Sequence, residues 1–123
     1  MKNRVLIIGQ NPGNNPKAFS YKNHTIDKLN NWTKFLNIPL YSFVNCVDSP
    51  GICKIKQVNF DFLKNCTKDH KKVIALGSFA SACLERINIT HFKLPHPSPR
   101  NRMMNDKVKI NSILEDCRKY INE

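Results

Sequence analysis

The chain has 123 residues, a length that suits a single domain over 1–123 and leaves little room for two. A hydrophobic fraction of 41% excludes a disordered chain, and the apolar run at 5–8 is far too short to span a bilayer or act as a signal core. Lys and Arg number 20 against 9 Asp and Glu, and the resulting +11 attracts polyanions, of which nucleic acid is the commonest. A Lys- and Asn-rich composition from an AT-rich genome would give a similar count. No membrane partner is expected, because the cations are scattered rather than gathered beside a long apolar helix.

Cys46, Cys53, Cys66, Cys83 and Cys117 make an odd set, so at least one stays unpaired. With no close C-x-x-C pair and no secretory signal, a reducing, intracellular setting is expected, with Cys83 and Cys117 as core residues on helices. Cys46, Cys53 and Cys66 are irregularly spaced, with no His in register, so no metal site is expected.

In chain order, residues 4–8 form an apolar, β-branched strand, and Gly9-Gln10-Asn11-Pro12-Gly13-Asn14-Asn15-Pro16 breaks all regular structure after it. Thr25 is a fair N-cap for a helix in which Ile26, Leu29, Trp32, Phe35 and Leu36 recur at helical spacing, and Asn37-Ile38-Pro39 ends it. Residues 40–47 read as a second strand and Asp48-Ser49-Pro50-Gly51 as a turn. A second helix is predicted over 57–67, with Val58, Phe62, Leu63 and Cys66 on its buried face. Residues 71–76 form a third strand, Gly77-Ser78 a sharp turn, and 78–87 a third helix. A short fourth strand over 91–94 runs into the rigid Pro95-His96-Pro97-Ser98-Pro99. The last helix, 105–121, presents Val108, Ile110, Ile113, Leu114, Cys117 and Ile121 as an apolar stripe. His24, His70 and His91 read as surface or boundary residues.

Strand and helix alternate throughout. The expected fold is α/β, a three-layer α/β/α sandwich around a central, mainly parallel four-stranded sheet. Ligands bind such sheets beyond the carboxyl ends of the strands. The distinctive segments lie there: 9–16 after the first strand, Asn45 ending the second, Gly77-Ser78 after the third and 95–101 after the fourth.

Two of these segments, Gly9-Gln10-Asn11-Pro12-Gly13 and His96-Pro97-Ser98-Pro99-Arg100-Asn101, together resemble the two signature motifs of the uracil-DNA glycosylase superfamily. The first looks like the G-x-N-P-G form of the mismatch-specific, thymine-type and single-strand-selective branches, and the second is closest to the single-strand-selective monofunctional branch. The resemblance covers most of the chain in architecture and about a dozen residues in identity. It implies a monofunctional DNA glycosylase that hydrolyses the N-glycosidic bond of uracil, or of a C5-substituted uracil, in base excision repair. A monomer acting on single- or double-stranded DNA with a flipped pyrimidine is expected, without a cofactor.

The implied roles follow the chemistry. His96 matches the imidazole that stabilises the departing pyrimidine anion at its O2. Asn11 matches the residue that holds water beneath the anomeric carbon; an amide is a poor base, so positioning dominates and chemistry is slower than where an Asp stands. Asn45 resembles the amide that reads the N3–H donor and O4 acceptor of uracil, although an Asn can also simply cap a strand end. Phe19 looks like the aromatic that stacks on the flipped base, with Tyr21 as the fallback and core packing as the alternative. Gln10 and Pro12 fall in the substrate-binding segment. Pro97, Ser98 and Pro99 would pinch the phosphate backbone, Arg100 stands at the wedge position, and Asn101, Gly77 and Ser78 join the DNA contacts. Ser78 reads equally as an ordinary N-cap.

Larger relatives carry helices before the first strand, and the iron–sulfur branches carry a Cys pair ahead of the first motif; neither is present, so no cluster is expected. Asn14-Asn15-Pro16 departs from the bulky continuation that excludes thymine in some branches, which leaves room for a methyl or hydroxymethyl at C5. No motif Lys stands ready as a Schiff-base nucleophile, so strand cleavage is not expected. The competing readings are a same-fold enzyme that modifies a pyrimidine in DNA, and a DNA-binding module without catalysis.

Overall fold

The computed structural model describes residues 5–10, 24–38, 40–47, 54–97 and 102–123. Four parallel strands form one sheet in the order β2-β1-β3-β4, with β1 at Val5–Gly9, β2 at Ser42–Asn45, β3 at Lys72–Leu76 and β4 at Phe92–Leu94. The helices are α1 (His24–Phe35), α2 (Phe60–Lys68), α3 (Gly77–Arg86) and α4 (Lys107–Asn122).

Side chains alternate across a strand, and β1 divides its apolar run between two cores. Val5 and Ile7 join Ile74, Leu76 and Leu94 in packing against Leu29 and Trp32 of α1 and Ile110, Leu114 and Cys117 of α4. Leu6 and Ile8 join Val73 and Ala75 on the other face, against Leu63 of α2 and Ala80, Cys83 and Leu84 of α3. The sandwich therefore has α1 and α4 on one side and α2 and α3 on the other. Cys83 and Cys117 are fully buried, as expected of core cysteines, and burial pushes the Cys117 thiol up to about 12.

Several boundaries differ from the sequence reading, each for a local reason. Thr25 lies inside α1 rather than at its cap, because the helix already begins at His24. The segment expected as one helix over 57–67 splits into a 3₁₀ turn, Ile55–Gln57, and α2, whose N-cap Asn59 accepts a hydrogen bond from the Phe62 N–H at 3.1 Å. That start turns Leu63 and Thr67 inward and leaves Phe62 48% exposed, so Phe62 is not part of the core. Val108 also leaves its predicted stripe, at 82% exposed in the first turn of α4. The second strand contracts to four residues, which leaves Leu40 exposed ahead of it.

His70 and His91 act as boundary ties. The His70 ring is hydrogen-bonded to the Cys66 carbonyl and the Ser42 hydroxyl, joining α2 to β2. His91 is bonded to Ser81 of α3 at 2.8 Å and to the Ile89 carbonyl. On a central strand, the Tyr120 hydroxyl accepts from the Val73 N–H and donates to the Val73 carbonyl, which fastens the end of α4 to β3.

Candidate active site

The strand order places a topological reversal between β1 and β3: the connection from β1 leads outward to β2, and the next crosses back to β3. The crevice of a doubly wound sheet opens at such a point, outside the carboxyl ends. Here a glycine stands at the end of each, Gly9 closing β1 and Gly77 immediately following β3.

Each glycine lies beneath a polar side chain that the sequence singled out. Gly9 pairs in register with Asn45, and a methyl built on Gly9 would come within 2.6 Å of Asn45 Oδ1 and 2.8 Å of the Phe43 ring. The ladder continues past the strand ends, because the Cys46 N–H donates to the Gly9 carbonyl at 2.9 Å and the Val47 N–H to the Gln10 carbonyl at 3.0 Å. Gln10, half-buried, is thus held to the sheet at the last described residue before Asn11.

Gly77 has a φ of +90°, a conformation that side-chain-bearing residues rarely adopt. A methyl there would lie 3.1 Å from His96 Cβ and 3.4 Å from its Cδ2, so the imidazole rests directly on the glycine. His96 follows β4 by two residues, between the buried Pro95 and Pro97. Burial holds its pKa below the ordinary imidazole value of 6.5, which leaves the ring neutral near pH 7. A neutral imidazole supplies one N–H donor without placing a buried cation beside the substrate.

Asn45 and His96 therefore reach the carboxyl edge of the two central strands from opposite flanks, Asn45 from β2 and His96 from beyond β4. Ser78 is exposed in the first turn of α3; the N-cap position belongs to Leu76, so the ordinary N-cap reading of Ser78 does not hold. The remaining site expectations, at Asn11, Pro12, Phe19, Tyr21, Ser98, Pro99, Arg100 and Asn101, lie outside the described residues.

The sequence reading passed over Phe43, whose ring covers Gly9 and is 43% exposed. Its signal was available: residues two apart on a strand share a face, so Phe43 accompanies Asn45. It also passed over a cavity of about 150 Å³ between the end of β2 and the start of α2, lined by Asn45, Cys46, Gln57, Asn59 and Phe62. No periodicity marks that cavity, because its walls come from a strand end, a 3₁₀ turn and a helix start.

No helix among the described residues is long and apolar enough to cross a membrane. The family model described as "Uracil DNA glycosylase superfamily" matches residues 1–118. Neither the curated proteins nor the solved structures yield a match to the chain.

Proposed function

The chain belongs to the uracil-DNA glycosylase superfamily, and from that premise we propose that it is a monofunctional glycosylase that hydrolyses the N-glycosidic bond of uracil, or of a C5-substituted uracil, in DNA during base excision repair. Membership carries a DNA glycosylase-like function and a DNA partner. The base, the repair role, action as a monomeric single domain over 1–123, and kinship with the single-strand-selective and mismatch-specific branches are our reading. The observation that carries it is the pair of polar side chains seated on Gly9 and Gly77 at the central crevice, in a chain with this family match.

The proposed reaction begins with extrusion of the pyrimidine from the base stack. Gln10 and Pro12 line the entry, Phe19 stacks on the base, and Asn45 reads its edge. Uracil offers N3–H beside O4, whereas cytosine offers the opposite pattern, so an amide held in one orientation accepts from one and donates to the other. The Asn45 Oδ1 lies so close over Gly9 that an added methyl would come within 2.6 Å of it, which supports such fixed orientation.

Breaking the bond leaves a pyrimidine anion and an oxocarbenium-like sugar. His96 donates a hydrogen bond to O2 of the departing base, and its seat on Gly77 means that little reorganisation is needed as charge develops. Asn11 orients the attacking water. Water adds to the anomeric carbon, the base leaves with the bonding pair, and the water's proton passes to solvent or to the base. Pro97, Ser98 and Pro99 grip the backbone, Arg100 fills the vacated stack, and Gly77, Ser78 and Asn101 contact phosphate.

Incubation with oligonucleotides containing uracil, a thymine mismatch, hypoxanthine or 5-hydroxymethyluracil, followed by alkali cleavage, tests the reading. Free base and an abasic site are expected from uracil and 5-hydroxymethyluracil. An altered base that stays attached would assign the protein to base modification, and intact oligonucleotides throughout would leave a binding module.

A further inference from the structure

The cavity between β2 and α2 lies on the flank of Asn45 toward α2, and His96 is not among its walls. Its chemistry is specific. The Gln57 side-chain oxygen accepts the Lys54 backbone N–H at 2.7 Å, and the Asn59 oxygen accepts the Phe62 backbone N–H at 3.1 Å. Backbone N–H groups can only donate, so these bonds turn the oxygen of each amide toward the backbone. The NH₂ group of each amide is a donor that these bonds do not use. Beside them stands Phe62, an aromatic ring 48% exposed at a place where helical periodicity called for a buried one.

Two amide donors and a half-open aromatic face complement a flat, carbonyl-bearing ring. We propose that this cavity is a second nucleobase subsite, which takes the unpaired nucleotide next to the flipped pyrimidine. That base stacks on Phe62, and its carbonyl oxygens accept from Gln57 and Asn59. The inference rests on the DNA-glycosylase reading for the identity of the strand. Asn45 forms a wall of the cavity and of the crevice alike, so the two bases would lie on either side of one residue. The net charge of +11 holds the strand without regard to sequence, and the subsite adds a preference for an unstacked neighbour.

The test uses the full chain and fluorescently labelled single-stranded oligonucleotides with one uracil, in which the nucleotide on the 5′ or 3′ side is either a normal pyrimidine or an abasic spacer. Affinity is read by anisotropy and excision by single-turnover kinetics. Wild-type protein should lose about 5- to 160-fold in affinity when the spacer occupies one particular side, the range expected for loss of one stacked base. Phe62→Ala should show a similar loss on the normal oligonucleotide and no further loss with the spacer, whereas Phe62→Tyr should restore both. Gln57→Glu keeps the oxygen that holds Lys54 and replaces the donor with a negative charge, so it should weaken binding while thermal stability is retained. Equal affinity for both oligonucleotides in the wild type, or a spacer effect undiminished in Phe62→Ala, would overturn the subsite. Absence of base release from every oligonucleotide would instead defeat the glycosylase reading, since the anisotropy comparison does not depend on turnover.

Discussion

Gly9 and Gly77 stand where any side chain would collide with a polar residue of the crevice, but the two collisions differ in kind. At Gly9 the obstacles are the ends of the Asn45 and Phe43 side chains, which can swing away. Gly9→Ala should therefore leave the melting temperature nearly unchanged while lowering uracil excision at least tenfold, because the Asn45 amide proposed to read the base is displaced. At Gly77 the nearest obstacle is His96 Cβ, tied to its backbone, and the φ of +90° adds strain. Gly77→Ala should cost stability as well as activity, about 1–3 kcal/mol by denaturant unfolding. Parallel measurements of melting and excision on the two variants check this split; equal loss of stability in both would refute it.

His96 makes a second prediction at this scale. Burial lowers its folded pKa, so below the ordinary value of 6.5 the unfolded chain takes up a proton that the folded chain refuses. Its contribution to stability is intact above 6.5 and is lost as the pH falls from there through the lowered folded value. Unfolding free energies at pH 7.5 and pH 5 should fall further for wild type than for His96→Gln, which cannot titrate. Identical pH dependence in the two proteins would mean that the imidazole is not held neutral by the fold.

Among the elements, the strands were legible to within a residue or two because β-branched apolar runs have few other uses. The ends of α2 and the stripe of α4 were less so. Val108 fits the helical period on paper, yet it sits in the first turn after N-cap Asp106, beyond the edge of the sheet core, and is 82% exposed. Ile110 and Leu114, further along the helix, are buried. Leu114→Ala should cost about 2–5 kcal/mol, whereas Val108→Ala should lie within about 0.5 kcal/mol of wild type. Denaturant titration of both variants checks where the core begins; a comparable cost at both positions would contradict the packing described.

The candidate site divides in the same way. Asn45 and His96 were legible because one ends a strand, the other follows a strand closely between two prolines, and both carry polar chemistry. The glycine seats beneath them were not, since close approach between segments 36 residues apart in one case and 19 in the other is a tertiary property that no local pattern records. Phe62 shows the reverse failure: its spacing suggested burial, and only the register of Asn59 as N-cap turned it outward.

At the scale of the whole molecule, an all-parallel sheet with a reversal between β1 and β3 gathers segments from across the sequence at one edge, and a charge of +11 brings a polyanion to it. Affinity for single-stranded DNA should fall steeply with salt, with a log–log slope of about −0.7 for each phosphate neutralised. Anisotropy titrations across a salt series measure it, and a flat response would rule out the phosphate contacts assigned to the loop after β4.

The central claim is that Asn11 and His96 act on one extruded pyrimidine. Single-turnover release of free uracil from a uracil-containing oligonucleotide, compared among wild type, Asn11→Ala and His96→Ala, tests it most directly. Each variant should be slower by about 30- to 1000-fold, the usual effect of losing one preorganised polar group. Rates near wild type in both variants would contradict it.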